Sequence, residues 1–449
     1  MPRNPVADLP REVGVLIVVA FFVALGFGIV APALPLFART FGVGTAASAA
    51  VISVFAFLRI AFAFPAGRLI DRVGERLVLA TGIGIVAVSS ALAGLAQSYW
   101  QLVVLRGAGG VGSAMFSISA MSVLVRLVPT AQRARAVGLW SGGFLLGGIA
   151  GPGLGGVITS VSIRLPFFLY AGTLAISGSV ALVALRSTPL ADKGSAAALT
   201  RTSLPDALRM PAFRAALAAN FADAWGSMGV RAALIPLFVV EVLHRSVVWT
   251  GVGFLLVTGI NALVLLPAGS YADRVGRRPV LISGCALAGL AFLVLAVWPS
   301  LPGFLIAMAV LGLGSGLLDV APAAVVGDIV EGRGGPVFAA YSMSSDVANV
   351  VGPIAAGAIA EVSYSGAFGL TALILGGAVL AGFRMPETKL IADARSARES
   401  LAQVGEQVVD VLDADREPDE VARDLQGGAR NAGMGHAPGV LDERLDAAE

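Results

Sequence analysis

Six charged residues lie inside otherwise apolar runs of this 449-residue chain: Arg59, Arg106, Asp223, Arg231, Asp319 and Asp346. A charge in a membrane-length segment costs about 2.5–3.5 kcal/mol on insertion scales, so such residues are usually functional. A carboxyl group held away from water favours its neutral form and can take and release a proton as its exposure alternates. Asp223 and Asp346 sit well inside their runs, and Asp319 lies nearer an end. These acids, with Arg106, are the residues assigned to proton coupling. Asp223 and Arg231 are eight residues apart, a little over two helical turns, and fall on roughly one face. The competing reading of each acid is a permanent ion pair with an arginine of another helix. The chain offers little for other chemistry. Two histidines, His244 and His436, and one cysteine, Cys285, form no nucleophile–base pair and no metal cluster. No catalytic residue, metal or cofactor is therefore assigned. Gly107-x-Gly109-x-x-Gly112 and Gly151-x-Gly153-x-x-Gly156 spell a dinucleotide fingerprint, but both lie in apolar runs outside any βαβ unit. Neither lysine sits in a phosphate-binding loop, so energy should come from an ion or substrate gradient.

The elements that position these charges are membrane spans. The chain is 57% hydrophobic and 13% charged, against about 25% charged in a soluble domain. Repeated apolar runs of about 18 or more residues read as transmembrane helices, the open-ended structure that satisfies its own backbone in lipid. An all-α membrane protein with twelve spans follows, at about 13–37, 46–66, 77–97, 101–125, 136–160, 165–186, 214–242, 247–268, 279–298, 302–327, 336–360 and 365–385. Arginines crowd one set of loops, which places those loops and both termini in the cytoplasm. The net charge of +2 divides into +10 for residues 1–385 and −8 for 386–449. A basic membrane body with an acidic tail is no nucleic-acid signature.

The chain also repeats itself. Gly67-Arg68-Leu69-Ile70-Asp71-Arg72-Val73-Gly74-Glu75-Arg76 returns 202 residues later as Gly269-Ser270-Tyr271-Ala272-Asp273-Arg274-Val275-Gly276-Arg277-Arg278. Pro35-Leu36-Phe37 returns as Pro236-Leu237-Phe238, and Gly151-Pro152 as Gly352-Pro353, both offset by 201. The expected organisation is a six-helix half at 1–186, a cytoplasmic connector at 187–213, a second six-helix half at 214–385 and an acidic tail at 386–449. The tail is read as part amphipathic helix and part disordered. Two repeated halves suit a transporter whose substrate site lies between them near the bilayer midplane.

On these residues the chain resembles the major facilitator superfamily over roughly residues 13–385. Residues 67–76 match its loop signature except at Ile70 and Glu75, and residues 269–278 match except at Tyr271. The resemblance implies a cytoplasmic gate built from Gly67, Asp71, Arg72, Gly74 and Arg76, and from Gly269, Asp273, Arg274, Gly276 and Arg277. Leu25-Gly26 with Pro32 and Pro35 is similar to the first-span signature of the twelve-span drug:proton antiporters. Arg106-x-x-Gly109-Gly110-x-Gly112 resembles the branch's proton-transfer motif, with Gly109 in place of its usual Gln. Gly147, Gly151, Pro152, Gly155 and Gly156 match the antiporter motif. No acid lies in span 1, where some relatives of this branch carry theirs. Glu75 stands where the second copy has Arg277, and Arg126 where it has Asp328, each 202 residues apart. Arg277 with Asp328 and Glu75 with Arg126 are expected as gate ion pairs with exchanged signs. The alternative is independent interfacial charges.

Phe27, Arg59, Phe116, Trp140, Trp225 and Arg231 are the residues assigned to a substrate cavity. An aromatic, weakly polar cavity suits an amphipathic organic molecule. The expected function is proton-coupled efflux of such a compound or drug by a monomer in the cell membrane, with protons, lipid and a small-molecule substrate as partners. A facilitator or importer of a polar metabolite on the same fold is the alternative, and a transport-dead membrane sensor comes third.

Overall fold

The repeat is visible in the turns. Val73 ends one long helix, Glu75 opens the next, and Gly74 alone joins them at φ +87°. Val275, Gly276 at φ +112° and Arg277 repeat that joint. A positive φ is open to glycine at little cost, which is why a glycine holds both corners. Ser98 and Ser300, 202 residues apart, cap helices by accepting from the backbone N–H groups of Gln101 and Gly303. Pro65 and Pro267 sit inside one pair of equivalent helices, and Pro152 and Pro353 inside another.

The structure is a computed structural model and describes residues 10–128, 133–184, 204–329 and 335–389. The first half contains α1 (Arg11–Val30), α2 (Leu34–Arg39), α3 (Thr45–Val73), α4 (Glu75–Gly94), α5 (Tyr99–Leu127), α6 (Arg133–Val161) and α7 (Leu165–Ala184). The second contains α8 (Leu204–Arg209), α9 (Pro211–Ala224), α10 (Ala233–Leu237), α11 (Val248–Val275), α12 (Arg277–Val297), α13 (Leu301–Leu318), α14 (Ala321–Ile329), α15 (Gly335–Val362) and α16 (Tyr364–Phe383). No strand occurs among the described residues. Eleven helical segments there are long and apolar enough to cross a membrane. The twelfth expected span, on α15, matches them in length but carries Ser342, Ser344, Ser345, Asp346 and Asn349. The fold is an all-α membrane bundle of two pseudo-symmetric halves. One apolar core gathers first-half residues from Val13 to Ala181. Another gathers second-half residues from Ala207 to Met385, joined by Ala49.

Three spans read as continuous are interrupted. The first breaks at residues 31–33, between α1 and α2, where Pro32 and Pro35 withhold backbone donors. Its repeat around Pro236 stays helical but widens into π-helix at Trp225–Ala232 and Phe238–Val242. Span ten breaks at Asp319 and Val320, just before Pro322. The charged stretch 67–73, expected within a loop, is the last two turns of α3. The described end of the expected connector is helical, with Pro211 opening α9, a position where its missing N–H costs nothing. Residues 187–203 and the acidic tail beyond 389 lie outside the described residues.

Candidate functional site

A cavity of about 580 Å³ lies between the halves. Its wall is mostly first-half: Phe27 from α1, Phe55 and Arg59 from α3, Ser113, Phe116 and Ser117 from α5, Trp140 and Phe144 from α6, and Tyr170 from α7. Met228, Arg231, Phe254 and Thr258 close it from the second half. The rings touch in sequence: Trp140 meets Phe144 edge-on with centroids 4.8 Å apart, Phe116 lies 6.4 Å from Phe144, and Phe27 lies 6.2 Å from Phe55. Five of the six expected cavity residues are here: Phe27, Arg59, Phe116, Trp140 and Arg231. Trp225 is the exception. It is buried in the second-half core against Phe221, with its indole N–H donating to Thr371 at 3.2 Å. Its helical face supplies the core, not the seam.

A second cavity of about 100 Å³ also touches Phe27, Phe55 and Arg59, and adds Arg106 and Asn349. Arg106 is 4% exposed, its guanidinium stacks on Phe55 at 4.6 Å, and its Nε has no hydrogen-bond partner. Among the described residues, the titratable group that interacts electrostatically with Arg106 is the phenol of Tyr170. A desolvated cation–π contact contributes about 2 kcal/mol, less than the several kcal/mol that burying an ion costs. Stacking alone leaves this charge under-compensated. The indole N–H of Trp140 is likewise buried without a partner.

The acids occupy the second half. Asp223 and Arg231 line one pinched space of about 10 Å³ with Ser227 and Ser315. The wider turn of the π-helix between them helps bring both to one side. Arg231 faces both Asp223 and Asp319 electrostatically. Asp319, at the break after α13, accepts a hydrogen bond from Asn261 Nδ2 at 2.7 Å. Asp346, half-buried on α15, is within Coulombic reach of Arg59 across the seam. Among the described residues, no carboxylate lines either of the two larger cavities.

One end of the seam is pinned. Arg39 Nε donates to Glu241 Oε1 at 2.7 Å, and Tyr364 Oη donates to Glu241 Oε2 at 2.9 Å. The Glu241 bond holds the Arg39 guanidinium protonated more firmly than an ordinary arginine. Beside it, Ala46 N donates to Glu361 Oε1 at 3.1 Å. Sequence reading missed Glu241, although it stands 202 residues from Arg39, the offset of the repeat.

At the opposite ends of these helices lie the residues expected to form a gate. Gly67, Asp71 and Arg72 occupy the last turns of α3, and Arg76 the first turn of α4. Gly269, Asp273 and Arg274 occupy the same place on α11. Arg277 bonds Asp273 at 2.8 Å and Asp328 at 3.1 Å, all within the second half. Such a pair braces one half and does not itself span the gap. Glu75 is 5% exposed and accepts from Ser122 Oγ at 3.1 Å. The Arg126 side chain lies outside the described residues. Gly147, Gly151 and Gly155 let α6 lie against the backbone of α1, and Gly156 meets Gly251 of α11 across the seam. A Cβ on Gly156 would stand 2.8 Å from the Gly251 Cα.

Comparison with known proteins agrees with this architecture. The family model of the Major Facilitator Superfamily matches residues 16–263 and 216–412. The quinolone resistance protein NorA of Staphylococcus aureus (strain Mu50 / ATCC 700699) is 27% identical over 179 residues, 40% of this chain and 46% of NorA. The synaptic vesicular amine transporter of Bos taurus is 26% identical over 306 residues, 66% of this chain and 57% of that protein. The chain thus spans about half the length of the curated relatives it matches. A crystal structure of a bacterial homologue of the human lysosomal transporter Spinster, inward-facing and unoccupied, shares the fold with a TM-score of 0.70 at 16% identity, covering 85% of this chain and 97% of that one. With a duplicated helical bundle, a cavity at its seam and a family match over most of its length, the chain belongs to the major facilitator superfamily.

Proposed function

We propose that the chain is a secondary active transporter that exports a small amphipathic organic compound in exchange for protons. The observation that carries this reading is the 580 Å³ cavity shared by both halves and walled by aromatic rings, the position and character expected of an alternating-access site. Asp223, Asp319 and Asp346 lie beside it in the second half, where protonation can bias the rocking of one half on the other. On the orientation implied by the arginine bias, both termini are cytoplasmic, the Arg39–Glu241 bridge closes the outer side, and residues 67–76 and 269–278 form the inner gate. The relative NorA carries a drug-resistance name over the part it shares. The working unit is a monomer in the cell membrane.

Purified chain in proteoliposomes with an imposed pH gradient tests the reading against a chemically diverse panel. Uphill movement of at least one amphipathic compound is expected, abolished by a protonophore and by Asp223→Asn or Asp346→Asn. Flux that follows only the compound's own gradient and survives both substitutions would establish a facilitator instead. One observation favours that second reading: among the described residues, no carboxylate lines the larger cavity.

A further inference from the structure

We infer that the transported compound is an organic anion, an amphiphile whose carboxylate or phosphate pairs with Arg106, with Arg59 beside it, while its apolar body lies on the aromatic wall of the first half. This deepens the transporter reading and rests on it.

The two arginines form one site. Arg106 on α5 stacks on Phe55, one helical turn from Arg59 on α3. Gly110, one turn beyond Arg106, lets α5 touch the backbone of Phe55 and Arg59. Both side chains line the 100 Å³ cavity, and Arg59 lines the larger one too. The site is therefore continuous with the ring-lined space.

Both walls have a donor left over. Arg106 Nε is buried without a partner, and so is the indole N–H of Trp140 in the wall of the larger cavity. Asn349 Oδ1 is also unpartnered in the smaller cavity, and a half-turn of that amide presents its NH₂ instead. A planar guanidinium fork matches a carboxylate or phosphate in two parallel hydrogen bonds. Asp346 attracts Arg59 from the other half but forms no ion pair within 4.0 Å, so it does not occupy the fork. A cationic compound would meet Arg59 and Arg106, with no acid among the described residues that line either cavity. That is selection by repulsion as well as attraction.

The test is equilibrium binding without any gradient, so that a failure of proton coupling cannot imitate a failure of recognition. Matched fluorescent amphiphiles with one naphthyl-alkyl body carry a carboxylate, a phosphate monoester, a neutral amide or a quaternary ammonium. They are titrated into the full chain in nanodiscs of zwitterionic lipid. The wild-type chain is expected to bind one of the two anions at least about tenfold more tightly than amide and ammonium. The winner among the anions assigns the headgroup. Arg106→Gln should remove the preference of anion over amide, and Arg106→Lys should recover only part of it. Arg164→Gln, in the lining of neither cavity, should change nothing. Equal or tighter binding of amide or ammonium by the wild-type chain overturns the inference whether or not a variant folds. So does an anion preference that persists in a folded Arg106→Gln, Arg59→Gln double variant. Anion binding with no proton-driven flux would support the recognition site and count against the proposed coupling alone.

Discussion

Arg59 on α3 corresponds to Asn261 on α11, Arg106 on α5 to Met308 on α13, and Ser117 on α5 to Asp319, each pair 202 residues apart. One duplicated backbone thus carries opposite chemistry on its two copies. The first half turns arginines and rings toward the seam, whereas the second holds Asp223, Asp319 and Asp346. The backbones diverge at the same places. α5 runs unbroken from Tyr99 to Leu127, while its repeat stops at Leu318 and restarts at Ala321, leaving Asp319 in the gap. Around Pro35 the chain breaks, and around Pro236 it widens into π-helix. On the proposed function this difference is a division of labour, with the ligand held by one copy and protons by the other.

The largest test separates the two tasks. Asp223→Asn should lower uphill accumulation by about 100-fold, the upper range for loss of coupling between sites, while counterflow of substrate persists. Loss of counterflow too would break the division. Next, Trp140→Ala should weaken substrate binding by about tenfold or more, as for a central aromatic anchor. An unchanged half-saturating concentration would remove the first half from recognition. Glu241→Gln severs the Arg39–Glu241 bridge, which ties the copies at equivalent positions. Since exposed and half-exposed pairs are worth about 0–1 kcal/mol, it should change the fraction of open outer side by about threefold, read by labelling a cysteine placed at Thr40. Smallest is Trp225→Phe, which removes the hydrogen bond to Thr371 and should lower stability by about 1 kcal/mol with transport unchanged. A transport defect there would return Trp225 to the cavity against its observed burial.

Much of the bundle was legible in the sequence because lipid leaves the backbone few choices. Repeated prolines, glycines and the Asp-Arg-Val-Gly core fixed the duplication, and apolar runs fixed the spans. The interruptions were not legible: hydropathy does not register that Pro32, Pro236 and Pro322 each disturb a helix differently. Five cavity residues could be assigned from ring and charge content within spans that topology alone makes central, which is why Trp225, one face away, was misplaced. The Arg277–Asp328 contact was legible because the repeat offset of 202 pairs these positions with Glu75 and Arg126, again of opposite sign. Glu241 escaped notice because an acid at a span end looks like an ordinary interfacial charge until its partner is known.

The Gly156–Gly251 crossing has a mechanical corollary. Helices that meet through side chains are geared together, and each step of one past the other must lift a rotamer out of a notch. Here two bare backbones touch, so the crossing is a smooth bearing that can roll without changing teeth. Resistance to motion is then expected where charge ties the halves, at the Arg39–Glu241 end of the seam, and the axle itself stays indifferent to direction.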